Sequence, residues 1–364
     1  DPLSSTKTEV PINMYLSKMG DLQEEQYRRI DRESFLTQKK NIGSFAFPII
    51  NGKLTDFSDY VSDVNGKLKW KANPNFIDWT ERGKYATFQD WLYNKGDLTN
   101  LRRCSGKFAE IVEAEESPGC SFMFGTLVEN SGIKILAMVL TLFGYDQFTE
   151  NSSENIFSNV KTKKIKSTYE KKRRVAIISG NAYGTDSRQT AILDLFNSDA
   201  NVDGEYIKTL IGSEKARDGI NVYHCKRMHL LFPLWHYSGM IQAINRALRV
   251  AGHDSLKAKL RKEATEMGYQ PGSKEYENHT KIIVKIYRHC VDYNIDRNIR
   301  ELDDDNGDYF LMKTAISKEI ANVKMLNMMK ACAIDIHINR EDNMLNINDP
   351  FNFDKLKYLP SWTE

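Results

Sequence analysis

The chain has 364 residues, of which 41% are hydrophobic, and a formal net charge of +2. This length exceeds one average domain and the apolar content is enough for a real core, so one large or two modest domains are expected. The near-neutral charge excludes a uniformly basic protein, and any affinity for nucleic acid must come from local clusters. No run approaches eighteen apolar residues, which argues against a membrane-spanning helix.

The five cysteines are scattered and form no C-x-x-C pair. This distribution argues against a zinc site and a disulfide framework, and it favours a reducing compartment. The chain begins at Asp1 with neither an initiator methionine nor a signal-peptide pattern. We therefore interpret it as part of a longer polypeptide.

Residues 1–100 contain weak structural signals. Residues 14–16 predict a short strand, and the next segment predicts an amphipathic helix with Leu22, Tyr27 and Ile30. Turn signals then break residues 49–100 into short apolar pieces that carry three tryptophans, Trp70, Trp79 and Trp91. These rings pack a small core or offer a stacking platform for bases, and we favour packing.

Residues 101–148 predict a helix, a strand at 121–124 and a second helix that begins at Ile133 and ends at Gly144 and Tyr145. The strand is almost entirely apolar, as in strands that are buried on both faces, and a strand followed by a helix is the repeating unit of a parallel sheet. Gly125, Thr126 and Glu129 follow this strand, at the end where open sheets bind ligands.

Residues 161–174 contain eight lysines and arginines, the one dense positive cluster of the sequence. Such a cluster suits contacts with a phosphate backbone, but a solvated loop before a strand explains it equally well. The next strand is predicted at 175–178, and Asp186 begins a predicted helix that ends at Asn197.

The most informative stretch is 207–253. It predicts a strand at 207–211, a loop with residues 218–221, a strand at 228–232 and a helix around Met240–Leu248. Gln242, Arg246 and Arg249 follow a spacing of four and then three, which on a helix places them on one face. Two arginines on one face suit a polyanion such as a phosphate chain, although a solvated basic face remains the alternative.

Residues 254–364 predict three features. A strand at 282–287 is expected as an antiparallel addition to the sheet. The acidic run at 303–305 lacks the spaced ligands of a calcium loop, so a calcium site is not expected. A long amphipathic helix is predicted from about Asp308 to Asp335.

The order of these motifs resembles that of superfamily 2 helicases. Ser213, the loop Asp218–Asn221 and the series Gln242, Arg246 and Arg249 resemble the fifth and sixth helicase motifs, with Asn245 in the place of the family's glycine. More narrowly, the chain resembles the helicase-like ATPases of large cytoplasmic DNA viruses, the group of the poxvirus nucleoside triphosphatase I and the early transcription factor ATPase subunit, with possible relatives on yeast linear plasmids. Residues 44–48, 330–335 and 339–343 also resemble landmarks of this group.

The resemblance implies an α/β fold, a RecA-like parallel sheet flanked by helices that forms the second helicase lobe. We expect a lead-in segment at 1–48, an insertion at 49–100, the RecA-like domain at 101–256 and a helical C-terminal extension at 257–364. Neither a G-x-x-x-x-G-K-[S/T] nor a D-E-x-H run occurs in the sequence. We therefore expect the full-length parent to be an ATP hydrolase, in which the first RecA-like lobe makes most of the contacts with ATP and Mg²⁺. This chain alone is expected to be inactive.

The resemblance also implies site roles. Arg249 would be the arginine finger, Arg246 a second γ-phosphate contact, and Gln242 an orienting residue. Nucleotide contacts are expected from the loop of the fifth motif. Nucleic-acid contacts are expected from hydroxyls at strand ends and from the basic cluster. The nucleotide-contacting residues are Gly219, Asp218 and Asn221, and the nucleic-acid residues are Ser213, Thr126, Lys163, Lys164, Lys171 and Arg173.

The implied partners are DNA or RNA, the first RecA-like lobe of the same polypeptide and a viral RNA polymerase. The implied setting is viral transcription in the virion and the host cytoplasm, and no metal site is expected in this chain itself. The alternative is a non-catalytic motor-lobe module that binds polymerase or promoter DNA. The intact spacing of Gln242, Arg246 and Arg249 favours the catalytic alternative.

Overall fold

The computed structural model describes residues 15–30, 35–64, 67–72, 84–179, 186–214, 220–292 and 306–331. The strands are β1 (Tyr15–Lys18), β2 (Ile49–Ile50), β3 (Lys53–Leu54), β4 (Val61–Val64), β5 (Lys67–Trp70), β6 (Cys120–Phe124), β7 (Asp146–Gln147), β8 (Phe157–Asn159), β9 (Lys164–Ile165), β10 (Arg174–Ile178), β11 (Thr209–Gly212), β12 (Cys225–Leu230) and β13 (Lys285–Asp292). The helices are α1 (Asp21–Arg28), α2 (Phe35–Ser44), α3 (Phe57–Tyr60), α4 (Phe88–Tyr93), α5 (Thr99–Cys104), α6 (Gly106–Glu115), α7 (Ile133–Leu142), α8 (Ser153–Ile156), α9 (Asp186–Phe196), α10 (Tyr237–Ala247), α11 (Asp254–Glu266), α12 (Lys274–Thr280) and α13 (Gly307–Ala331).

A seven-stranded sheet forms the centre of the fold. Its strand order is β1-β13-β12-β6-β11-β10-β7, and every neighbouring pair is parallel. All residues of β6 and β11 are buried, as expected for central strands covered by helices on both faces. One hydrophobic cluster joins the sheet to α9, α10 and α13, and a second joins it to α6 and α7. The sheet is thus the middle layer of a three-layer α/β structure.

The expected antiparallel addition at 282–287 is wrong in its direction. The strand is β13, it begins at Lys285, and it pairs in parallel with both β12 and β1. Helices α10, α11 and α12 lie between β12 and β13 in the chain. Such a helical crossover brings the chain back to the end of the sheet at which β12 starts, so β13 runs in the same direction as β12. The sheet therefore includes one strand from residues 1–48 and one from 257–364.

Helix α6 begins in close contact with β1. Ser105 caps the helix by accepting a hydrogen bond from the Phe108 amide at 3.1 Å. A Cβ atom on Gly106 would lie 1.8 Å from the carbonyl oxygen of Lys18, so only glycine fits this approach. Met19 continues the attachment with a 2.7 Å backbone hydrogen bond to Asp292. The N-terminal strand is thereby fixed to the same core as the RecA-like motifs.

Residues 49–100 pack an aromatic cluster against the sheet's β7 edge. The rings of Tyr60 and Phe88 lie 4.2 Å apart, Phe88 also contacts Trp91, and Trp91 is 2% exposed. Gln147 of β7 uses its side-chain amide to pair with both backbone groups of Leu68, at 2.8 and 3.1 Å, as a neighbouring strand would. Trp91 is a packing residue as predicted, Trp70 is half-buried, and Trp79 lies outside the described residues.

Helix α13 begins close to the predicted residue Asp308 and packs its first half on the sheet. Asn306 donates a 2.8 Å hydrogen bond to the Val291 carbonyl, and Gly307 donates one to the Tyr27 hydroxyl. Its second half has a solvent-exposed apolar surface formed by Met325, Leu326, Met328 and Met329. None of the helices in the described ranges combines the length and apolar character needed to cross a membrane.

Candidate nucleotide and nucleic-acid sites

Thr126 and Ser213 lie side by side at the carboxyl edge of the sheet. Phe124 and Gly212 are paired residues of β6 and β11, and Gly125 donates a 3.0 Å backbone hydrogen bond to Gly212. Ser213 is buried, and its amide donates to the Ile178 carbonyl at 2.9 Å. Carboxyl ends of parallel strands are where open α/β sheets bind ligands. The two residues that the sequence assigned to one nucleic-acid strand thus follow neighbouring strand ends at the same edge of the sheet.

Lys40 of α2 was not predicted as a site residue, yet it contacts Thr126. Its ammonium donates to the Thr126 hydroxyl at 2.5 Å and lies 5.1 Å from the centre of the Phe232 ring. Burial lowers the pKa of Lys40, Asp308 opposes that shift, and the nearby Lys107 adds to it. The sequence shows only a pair of lysines in a helix, so this contact 86 positions along the chain was not visible in it.

Beneath this edge, Lys107 joins α6 to the start of α13. Its side chain is fully buried, donates to the Leu231 carbonyl at 2.7 Å and forms an ion pair with Asp308 at 3.4 Å. The ammonium also lies 4.5 Å from the Phe232 ring centre. Asp308 accepts a further hydrogen bond from the Val291 amide at 3.2 Å. The C-terminal helix is therefore tied to the strand ends by a buried, hydrogen-bonded charge pair.

Gln242 and Arg246 lie on α10 as predicted, but Arg249 does not. The helix ends at Ala247, and Arg249 has an extended backbone (φ −62°, ψ 135°) that begins a 3-10 turn at Val250–His253. The prediction of a single helical face is therefore wrong for Arg249, because the spacing extends past the end of the helix. Gln242, Asn245 and Arg249 are exposed and Arg246 is half-buried. Asn245, which replaces the family's glycine, points its side chain to solvent.

Arg246 is held against the loop that precedes β12. Its guanidinium donates to the Ile220 carbonyl at 3.4 Å, and its own carbonyl accepts from the Val222 amide at 3.3 Å. The 3-10 turn after Arg249 is anchored nearby, because Gly252 accepts a 2.8 Å hydrogen bond from the His224 amide. The arginines of the sixth motif and the end of the fifth-motif loop thus belong to one local structure.

Asn197, which follows α9, fixes the conformation of this loop. Its amide nitrogen donates to the Asn221 carbonyl at 2.9 Å, and its amide oxygen accepts from the Tyr223 amide at 2.8 Å. Asn221 is thereby positioned beside Arg246 through its backbone. The sequence indicated Asn197 as the end of a helix and as part of a segment that resembles the viral family, without this anchoring role. Asp218 and Gly219, the other predicted nucleotide contacts, lie outside the described residues.

These two groups of residues occupy opposite edges of the sheet. Thr126 and Ser213 follow the carboxyl ends of β6 and β11, whereas Asn221 precedes the amino end of β12. Helix α10 starts after the carboxyl end of β12 and runs back, so Arg246 lies at the amino edge with Asn221. The structure therefore separates the predicted nucleotide contacts from the predicted hydroxyl contacts with nucleic acid.

The basic cluster lies in the segment that leads into β10, and four of its eight residues, Lys163, Lys171, Lys172 and Arg173, pair with carboxylates. Lys171 contacts Glu205 at 2.6 Å, Arg173 lies 3.9 Å from Glu116, and Lys163 pairs with Asp194. Lys164 is exposed in the short β9 strand. Lys171 and Arg173 precede β10 and so lie at the amino edge, away from Thr126 and Ser213. Exposed pairs of this kind are weak and exchange readily for other anions.

A buried carboxylate connects the three central strands. Glu115 accepts hydrogen bonds from Ser121 and Thr209, both at 2.8 Å, and from the Arg227 guanidinium at 3.2 Å. Burial alone would raise the pKa of Glu115, but the adjacent His229, Arg227 and Ser121 lower it to about 2. The described part of the chain has no cluster of His, Cys, Asp or Glu that could hold a metal ion.

The fold and this arrangement define a RecA-like α/β lobe. No family model matches the chain. Its relatives include a protein designated as a helicase (087L) of Invertebrate iridescent virus 3, 26% identical over 68% of this chain and 22% of that protein. The killer plasmid pGKL-2 helicase of Kluyveromyces lactis is 28% identical over 47% of this chain and 27% of that protein.

A third relative, designated as an ATP-dependent RNA helicase (R563) of Acanthamoeba polyphaga mimivirus, is 23% identical over 65% of this chain and 36% of that protein. Among solved structures, the C-terminal part of the Fun30 ATPase domain aligns with a TM-score of 0.38 and 12% identity, covering 86% of this chain and 98% of that chain. The chain is thus similar in sequence to proteins designated as helicases from large DNA viruses and from a yeast killer plasmid. It spans 22 to 36% of the length of these three relatives.

Proposed function

We propose that the chain is the second lobe of an ATP-dependent nucleic-acid translocase in which Arg249 is the arginine finger. The observation that carries this proposal is the position of Arg249, exposed two residues after the end of α10, in a turn that is tied to the start of β12 through the hydrogen bond between Gly252 and His224. An exposed guanidinium at the edge of one lobe can reach a nucleotide that a facing lobe holds.

Each site residue has a distinct role in this proposal. Arg249 neutralises the charge that develops on the transferring phosphoryl group, a contribution worth about 10³- to 10⁵-fold in rate in enzymes of this type. Arg246, anchored to Ile220, is a second contact for the γ-phosphate, and Gln242 orients the arginines or the attacking water. Asn221 belongs to the nucleotide-facing loop together with Asp218 and Gly219.

Nucleic acid is the proposed second ligand. Thr126 and Ser213 contact its phosphates at the carboxyl edge. Lys163 and Lys164, with Lys171 and Arg173 at the amino edge, add longer-range, sequence-independent attraction rather than contacts at that same edge. The relatives are designated as helicases, which supports nucleic-acid binding in general terms. We further propose a role in viral transcription with a viral RNA polymerase as partner, in the virion and the host cytoplasm.

The alternative function is a non-catalytic motor lobe that binds a polymerase or promoter DNA. The exposed apolar surface at the end of α13 favours some form of protein contact. A lobe of that kind has no need for Arg249, so the two functions differ in the effect of removing it.

The test is Arg249→Ala in the longer polypeptide that contains this chain. We expect hydrolysis to fall by about a thousandfold or more while ATP still binds, because the finger acts mainly in the transition state. The matched control is Arg261→Ala, an exposed arginine of α11, which should leave hydrolysis unchanged. An unchanged rate in Arg249→Ala would refute the finger.

A further inference from the structure

A groove of about 750 Å³ opens at the carboxyl edge of the sheet beside Thr126. Its size falls within the range of roughly 300–1,000 Å³ that is typical of ligand sites. Five segments form its walls: α2, the segment after β6, the segment after β11, the segment between β12 and α10 with the start of α10, and α13. The lining residues that could contact a ligand through a charge, a hydroxyl or a ring are Thr37, Lys40, Thr126, Trp235, His236 and Lys318.

Trp235 offers an aromatic surface in this groove. Its side chain is 46% exposed, although a ring of this size is usually well covered. The ammonium of Lys318, on the exposed face of α13, lies 5.1 Å from the ring centre. A cation and a flat aromatic surface therefore stand next to each other at the mouth of the groove.

The floor of the groove adds a second cation and a hydroxyl. Lys40 and Thr126 are joined by their 2.5 Å hydrogen bond, and both line the groove. Among the lining residues of this groove there are two lysines, Lys40 and Lys318, and one carboxylate, Glu214. Cations that alternate with an aromatic face match a chain in which phosphates alternate with bases.

We infer that this groove binds single-stranded nucleic acid, with one base stacked on Trp235 and the adjoining phosphates contacted by Lys318 and by the Lys40–Thr126 pair. The inference rests on the proposed motor function and extends the path of the strand to α2 and α13, which lie outside the helicase motifs. The ion pair of Lys107 with Asp308 holds the start of α13 at the correct distance from the floor.

The test uses this chain and two fluorescein-labelled probes, a short oligothymidylate and an abasic oligonucleotide of the same length, with affinity measured by fluorescence anisotropy. Trp235→Ala should weaken oligothymidylate binding about tenfold and leave abasic binding unchanged, since only the base stacks. Lys318→Ala should weaken both probes and reduce the slope of log affinity against log salt by about 0.7. Both residues are exposed, so neither change should unfold the chain.

Matched controls are Lys324→Ala on the same helix and Tyr93→Ala, an exposed aromatic residue outside the groove; both should bind like the wild type. Unchanged oligothymidylate binding by Trp235→Ala overturns the stacking site and leaves the motor function standing. Failure of the wild-type chain to bind either probe overturns the nucleic-acid part of the proposed function as well. Tighter, Trp235-dependent binding of an oligoglutamate peptide would assign the groove to an acidic protein segment and overturn the inference.

Discussion

Glu115→Gln should destabilise the chain by about 3 kcal/mol at pH 7. The neutral amide keeps the shape of the carboxylate but removes the charge that Arg227 and His229 face in the buried core. In the folded chain the pKa of Glu115 is lowered from 4.5 to about 2. A shift of that size corresponds to about 3 kcal/mol, within the range for breaking a buried ion pair from one side.

The pH dependence of this effect has a definite sign. Because the folded-state pKa of Glu115 is depressed, its contribution is complete above the unfolded value of 4.5 and is lost as the pH falls from there towards 2. The difference in unfolding free energy between wild type and Glu115→Gln should therefore be constant from pH 7 to about 5. At about pH 3.5 it should be smaller by about 1 kcal/mol.

Urea unfolding followed by circular dichroism at a series of pH values measures this difference. Glu116→Gln is the matched control, since its carboxylate is 65% exposed and should contribute little. A difference below about 1 kcal/mol at pH 7 would refute the reasoning, because less than a third of the expected 3 kcal/mol would remain. So would a difference that stays constant down to pH 3.5. Either result would mean that Glu115 does not connect the central strands through its charge.

Three further predictions concern the loop, the C-terminal helix and the isolated lobe. Asn197→Ala should lower the free energy of unfolding by about 1–3 kcal/mol and speed hydrogen exchange at the Tyr223 amide. Asn197→Asp keeps the acceptor oxygen and should protect that amide. Equal exchange in the wild type and both variants would contradict the anchoring role. Lys107→Met should lower the free energy of unfolding by about 3 kcal/mol and make α13 more sensitive to protease. The matched change at exposed Lys324, Lys324→Met, should do neither. If α13 in Lys107→Met resists protease as well as in the wild type, the ion pair does not hold this helix. The chain by itself should hydrolyse ATP below detection, and robust hydrolysis by it alone would overturn the second-lobe proposal.

Much of the central sheet could be predicted because its signals are local. The apolar run at 121–124 predicted β6 and 175–178 predicted β10, and the helix predicted from Ile133 to Gly144 is α7, which ends two residues earlier, at Leu142. The position and direction of β13 could not be predicted, because they depend on pairing with β1, which lies far away in the chain. Alternation of apolar residues shows that a strand exists and carries no information about its neighbours.

For the candidate site, too, the sequence indicated individual residues but could not predict the long-range contacts between them. Motif order indicated Thr126 and Ser213, and their adjacency follows from parallel strand ends. The Lys40–Thr126 contact spans 86 positions and the Lys107–Asp308 pair spans 201, so neither has a local signature. The spacing alone predicted that Arg249 lies on the helix. In the structure the helix ends at Ala247, and the Arg249 side chain is exposed after it. Tertiary contacts, rather than propensity, decide such positions.

The measurement that tests the central claim most directly is the ATPase rate of the longer polypeptide, measured with and without single-stranded and duplex DNA. The account predicts that DNA stimulates hydrolysis and that Arg249→Ala abolishes the stimulated rate while nucleotide still binds. Absence of hydrolysis in the wild type, or a stimulated rate that survives Arg249→Ala, would contradict it and leave a lobe that serves as a binding scaffold.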